Sequence, residues 1–112
     1  MTIQEDRQQN VVIVAPIGRV DSTTSGTLDQ RLSALVAAGE RRLVIDLTAV
    51  DYISSAGLRV MLALAKKMKV GAGSLALCAM GDSVREVFGL AGFMPLFTVE
   101  PTREAAVARV AR

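Results

Sequence analysis

Two nearly continuous apolar runs, Val11-Val12-Ile13-Val14-Ala15-Pro16-Ile17 and Leu43-Val44-Ile45-Asp46-Leu47, constrain this chain more than any other feature. Both read as strands, the first strongly β-branched and the second buried. Pro16 falls near the end of the first run, where a missing N–H is tolerable. Between the runs, Leu28, Leu32, Leu35 and Val36 recur at spacings of three and four, which makes one apolar helical face. The hydroxyl cluster Ser22-Thr23-Thr24-Ser25-Gly26 precedes that helix and Gly39 stops it. An amphipathic helix between two such strands is a βαβ crossover, and it demands parallel pairing.

The remaining chain repeats the alternation. Thr2-Ile3-Gln4-Glu5-Asp6-Arg7 alternates weakly, as a short edge strand does, and Gln8-Gln9-Asn10 turns into the first apolar run. Leu58, Met61, Leu62, Ala65 and Met68 form a second helical stripe ending near Val70, with Arg59, Lys66, Lys67 and Lys69 mostly off it. Gly71-Ala72-Gly73 breaks this helix before a short buried strand from Ser74 to Met80. Asp82 or Ser83 caps a third helix, Ser83 and Glu86 having capping-box spacing, and Gly89-Leu90-Ala91-Gly92 ends it. Met94 to Val99 reads as a final strand and Arg103 to Arg112 as a last helix. The order predicts one α/β domain over residues 1–112, a mixed, mostly parallel sheet of about five strands packed by about four helices.

One turn, Val50-Asp51-Tyr52-Ile53-Ser54-Ser55-Ala56-Gly57-Leu58, joins the central strand to the second helix. It carries two adjacent hydroxyls at the sheet edge where ligands and partners are met in open α/β folds. A helix start offers unpaired N–H groups and partial positive charge, so a serine there can cap, accept a phosphate or attack a substrate.

What the chain lacks argues against attack: a lysine base is conceivable, but no Ser-x-x-Lys pairing occurs. The chain has no histidine, which removes Ser-His-Asp and Cys-His catalysis and the usual histidine-containing zinc sites. Ile53 stands where a nucleophile elbow needs glycine before Ser55. No Gly-x-Gly-x-x-Gly or Walker loop follows a strand, and paired carboxylates at functional spacing are missing. No catalytic residue, metal site or cofactor is therefore expected. Asp46 and Asp51 are read as fixing turns and solvent contacts. The single Cys78 allows no internal disulfide, suits a reducing compartment and reads as a small buried strand residue. The net charge of +2 is too small to argue direct nucleic-acid binding, and the four aromatics do not interleave with basic residues. No apolar run approaches the ~18–20 residues of a membrane span, and the polar first ten residues hold no signal segment, so a cytoplasmic location is expected. A serine exposed at a helix start without catalytic helpers suits modification by another protein. Phosphorylation there adds about −1.5 to −2 charges and three strong acceptor oxygens.

The stretch Asp51-Tyr52-Ile53-Ser54-Ser55-Ala56-Gly57-Leu58 resembles the signature turn of the STAS domain, specifically of bacterial anti-sigma factor antagonists. The resemblance extends over essentially the whole chain, through Gly18-Arg19-Val20-Asp21, the Leu43–Leu47 strand and Ser83 to Phe93. Ser54 stands where the family often has aspartate, and Ala56 where a small hydroxyl residue is common.

The resemblance implies a partner-switching regulator that is not an enzyme. Unphosphorylated, such a protein binds an anti-sigma factor that is also a serine kinase; phosphorylated at the position of Ser55, it is released. A metal-dependent serine phosphatase resets it. The implied partner-binding surface comprises Asp21, Ser22, Thr23, Ser54, Ser55, Gly57, Leu58 and Arg59, with the free protein a monomer that neither binds nucleic acid directly nor inserts into a membrane. The alternative is a non-phosphorylated STAS subunit docking on an ABC-transporter ATPase or in a stress-sensing complex. The loop at Asp21 should lie beside Ser54 and Ser55, and Asp21→Ala should weaken partner affinity with little effect on thermal stability.

Overall fold

The computed structural model describes residues 1–111. Strands β1 (Thr2–Gln8) and β2 (Val11–Val20) form an antiparallel hairpin, with the turn at Gln9 in the left-handed region, φ 56°. Helix α1 (Ser25–Ala37) leads to β3 (Arg42–Asp46), then β4 (Val50–Ile53) and α2 (Ser55–Val70). Strand β5 (Ser74–Cys78), α3 (Asp82–Leu90), a short 3-10 turn (Met94–Leu96), β6 (Val99–Glu100) and α4 (Arg103–Val110) complete the chain. The main sheet runs β1-β2-β3-β5-β6, parallel except for β1, and β4 joins it by pairing with β2.

The apolar runs are continuous because both faces of the sheet are covered. Val12, Val14, Leu43 and Ile45 point to the side occupied by α1, α2 and α3, where they meet Leu28, Leu32, Met61, Leu64 and Phe88. Val11, Ile13, Val44 and Ala76 point to the other side, against Ala106, Val107 and Val110 of α4. Phe88 is closed off by Phe97, edge to face at 5.6 Å between centroids. No described helix is long and apolar enough to cross a membrane.

The single α/β domain of mixed sheet and four helices is as expected, and the differences from the sequence reading are local. The sheet has six strands: Val50–Ile53, read as part of a turn, is a strand of its own. With four residues it is too short to show a period apart from its partner. Pro16 sits inside β2, in the gap between the last β3 partner at Val14 and the first β4 partner at Gly18. Neither parallel neighbour pairs with it, so its missing N–H goes unused there. The first half of residues 94–99 is the 3-10 turn, with Pro95 inside it, and strand structure begins only at Val99. Helix α2 starts at Ser55, three residues before the apolar stripe suggests. Gly81 is the N-cap of α3, and Ser83 spends its hydroxyl on the Asp51 carbonyl at 3.1 Å, so no capping box forms. The expected last helix ends at Val110; Arg112 lies outside the described residues.

Candidate functional site

The site grows from the point where β2 changes partner. After Val14 it leaves β3, and from Gly18 it pairs with β4, with a register shift between Gly18 and Arg19. Gly18 has φ 94°, which an L side chain tolerates poorly, and its N–H donates to the Ala49 carbonyl at 2.8 Å. The two strand ends therefore emerge side by side, one leading to the Asp21 loop and the other to Ser54. The Ser54 N–H donates to the Val20 carbonyl at 2.9 Å, which locks these segments together.

The two serines have different duties. Ser54 is the N-cap of α2, extended at φ −95° and ψ 176°, and its Oγ accepts from the Gly57 N–H at 3.4 Å. Ser55 is the first helical residue and is exposed, and its hydroxyl has no intramolecular partner among the described residues. Arg59 lies four residues on, one turn along the same face and also exposed. A phosphate on Ser55 would thus meet the positive end of the helix dipole and a guanidinium within reach.

Gly57 is required by packing. A Cβ there would lie 2.7 Å from Ile53 Cγ1, 2.8 Å from Val20 Cγ1 and 3.0 Å from the Val20 carbonyl oxygen. The first turn of α2 rests directly on the ends of β2 and β4. Leu58 is only 5% exposed and belongs to the core. Gly57 and Leu58, both assigned to the partner-binding surface from the sequence, lie beneath that surface and present no side chain to it.

Asp21 organises its own loop. Its carboxylate accepts from the Thr23 hydroxyl at 2.7 Å and the Thr23 N–H at 2.9 Å, and meets Arg19 Nε at 3.4 Å. The Thr23 hydroxyl, foremost, and its N–H hold the carboxyl down at about 2. Thr24, the N-cap of α1, makes no side-chain cap; its hydroxyl donates to the Arg19 carbonyl and accepts from the Asp21 N–H. Ser22 and Thr23 are exposed at the loop tip. Because Asp21 ties this loop, the expectation that Asp21→Ala leaves stability almost untouched is amended: the loop loses the two short bonds from Thr23 and the longer ones, at 3.4 Å, from Arg19 and Thr24.

Arg19 and Tyr52 complete the surface, and the sequence reading assigned neither to it. They are register partners across β2 and β4, with the guanidinium 4.3 Å from the ring centroid. Strand-favouring Val50, Tyr52 and Ile53 were the available signal. Beside Ser55, an open groove of about 330 Å³ runs between α1 and α2, lined by Gly26, Asp29, Ala56 and Arg59 among others.

Asp46 and Cys78 lie away from this edge. Asp46 is 5% exposed, so the expected solvent contact is absent, although its expected turn role is present in bonds from the Thr48 hydroxyl (2.6 Å) and N–H (3.0 Å). Arg103 Nε reaches it at 2.8 Å, pinning α4 to the sheet. Burial raises its carboxyl, but the Thr48 bonds and Arg103 together outweigh burial and leave it below the ordinary value. Cys78, its register partner, is fully buried, and burial with Asp46 nearby pushes the thiol up to about 12.

The STAS domain profile matches residues 2–106. The Bordetella bronchiseptica protein named as an anti-sigma factor antagonist, BtrV, is 44% identical over 108 residues, covering 96% of this chain and 93% of its own. The crystal structure of an anti-sigma factor antagonist from Mycobacterium paratuberculosis superposes with a TM-score of 0.90 at 31% identity, covering 99% of this chain and 94% of that one. The Bacillus protein SpoIIAA, in its unphosphorylated form, shares the fold with a TM-score of 0.83 at 21% identity, over 97% and 96% of the two chains.

Proposed function

The chain belongs to the STAS domain family, and from that premise we propose that it is an anti-sigma factor antagonist switched by phosphorylation of Ser55. What carries the reading is the pairing of 44% identity to BtrV with an exposed Ser55 hydroxyl at the first position of α2. Ser54 is committed to capping, which leaves Ser55 as the hydroxyl a kinase can reach without unwinding the helix. The partner is an anti-sigma factor with serine kinase activity, and a metal-dependent serine phosphatase restores the unmodified state. The protein itself supplies a docking surface in the cytoplasm and performs no catalysis.

The surface consists of Asp21, Ser22, Thr23, Ser54, Ser55 and Arg59, with Arg19 and Tyr52 beside them. A neutral Ser55 packs against the partner near its nucleotide and catalytic acid. A phosphate there meets like charge in a partly dry interface, at a cost of roughly 3–4 kcal/mol, or a hundred- to thousandfold in affinity.

The test begins with a pull-down from the native cell, using unmodified protein, and mass spectrometry of partners and phosphosites. Radiolabel transfer by the purified partner kinase should persist in Ser54→Ala and vanish in Ser55→Ala. Full labelling of Ser55→Ala would sink the assignment, and equal affinity of both phosphorylation states would sink the switch.

A further inference from the structure

The end of α2 remote from Ser55, roughly 22 Å away at 1.5 Å per residue, carries a second surface that the switch does not use. There Val36 of α1, with Arg41, Lys66, Lys67, Val70 and Gly71, lines an open groove of about 400 Å³. Val70 is 89% exposed, the most exposed large hydrophobic side chain among the described residues. It shares the groove with Val36, so it belongs to an apolar patch and does not stand singly on the surface.

The rim is positive and uncompensated. Arg41 donates to the carbonyls of Val36 and Glu40 at 3.1 and 3.0 Å, and Lys67 donates to the Ser33 hydroxyl at 2.7 Å. Both cations are thus held in position by neutral acceptors. Lys66 makes no ion pair among the described residues, and Glu40, the acid next to Arg41 in the chain, is engaged by Arg7 at 2.6 Å. No carboxylate lines the groove.

We propose that this groove docks an acidic peptide segment of a partner protein, with an aliphatic side chain seated between Val36 and Val70 and carboxylates against Arg41, Lys66 and Lys67. The charge calls for an acidic occupant and the apolar floor for an aliphatic anchor. No aromatic side chain lines this surface, whereas a lipid-binding face typically inserts tryptophan, phenylalanine or leucine, so a peptide is favoured over a lipid surface. The surface is separate from Ser55, so a partner held here stays bound through the phosphorylation cycle.

The probe is a short acetylated and amidated peptide alternating leucine with glutamate, titrated into the ¹⁵N-labelled protein. Amide shifts should concentrate at Val36, Arg41, Lys67, Val70 and Gly71, with sub-millimolar affinity. Val70→Asp and the double variant Lys66→Glu, Lys67→Glu should each weaken binding at least tenfold while leaving the remaining spectrum intact. Ser55→Asp should bind within about twofold of the parent. Absence of shifts at millimolar peptide overturns the proposal, as do equal shifts from a peptide with serine for leucine or lysine for glutamate. Sedimentation with phosphatidylserine vesicles, lost in Val70→Asp, would assign the groove to lipid and overturn it as well.

Discussion

The N–H of Ser54 and the carbonyl of Val20 meet at 2.9 Å, and this one bond joins the two loops that make the candidate surface. It exists because β4 pairs with the end of β2, with Val20 opposite Ile53. The Asp21 loop and the start of α2 are therefore fixed relative to one another by backbone, and their side chains are left over for a partner.

Gly57→Ala should be destabilising by about 1–3 kcal/mol, the usual range for overpacking. The added Cβ would press on a backbone oxygen and on two β-branched side chains with little room to rotate. Thermal denaturation should show a midpoint roughly 4 °C or more below the parent. An unchanged midpoint would mean that α2 does not rest on the strand ends.

Ser54→Ala and Ser55→Ala should part company in urea. Loss of the Ser54 cap should cost about 0.5–1 kcal/mol, at the low end for caps because the bond is long at 3.4 Å. Ser55→Ala should stay within about 0.5 kcal/mol of the parent, as an exposed side chain without partners does. Equal losses in the two variants would contradict the division of roles.

The Asp21 carboxyl should titrate near 2, well below the usual ~3.9. Its folded value is depressed, so its contribution to stability is complete above the unfolded value and is lost as pH falls from about 4 toward 2. Side-chain carboxyl NMR reads the midpoint directly. Thr23→Val, which removes the hydroxyl donor, should move the midpoint upward, and an ordinary midpoint in the parent would rule out the loop bonds.

Arg103→Met should cost about 1–3 kcal/mol, less than a fully buried pair because Thr48 still satisfies one Asp46 oxygen. The same variant should loosen α4 over the strand that carries Cys78. In the parent, Cys78 should resist a thiol reagent at pH 8 until urea unfolds the protein. In Arg103→Met, labelling below the unfolding transition should quicken. Immediate labelling of the native parent would contradict the burial of this thiol.

By itself, the sequence determined the features that a single element can encode. The apolar runs and the three-four leucine spacing specify strands and helices by local period, and the helix between two such runs sets the parallel pairing of β2 with β3. It also placed Ser55 at a helix start. Only the tertiary structure decided what depends on a neighbour distant in sequence. Val50–Ile53 is a strand because β2 supplies its hydrogen bonds, and Arg19 finds Tyr52 only through that pairing. Leu58 and Gly57 are withdrawn from the surface because the ends of two strands lie beneath them, and Asp46 is buried because Arg103, 57 residues away, reaches it. Such contacts leave no period in the sequence, since each side chain is chosen for a partner that only the folded chain brings within reach.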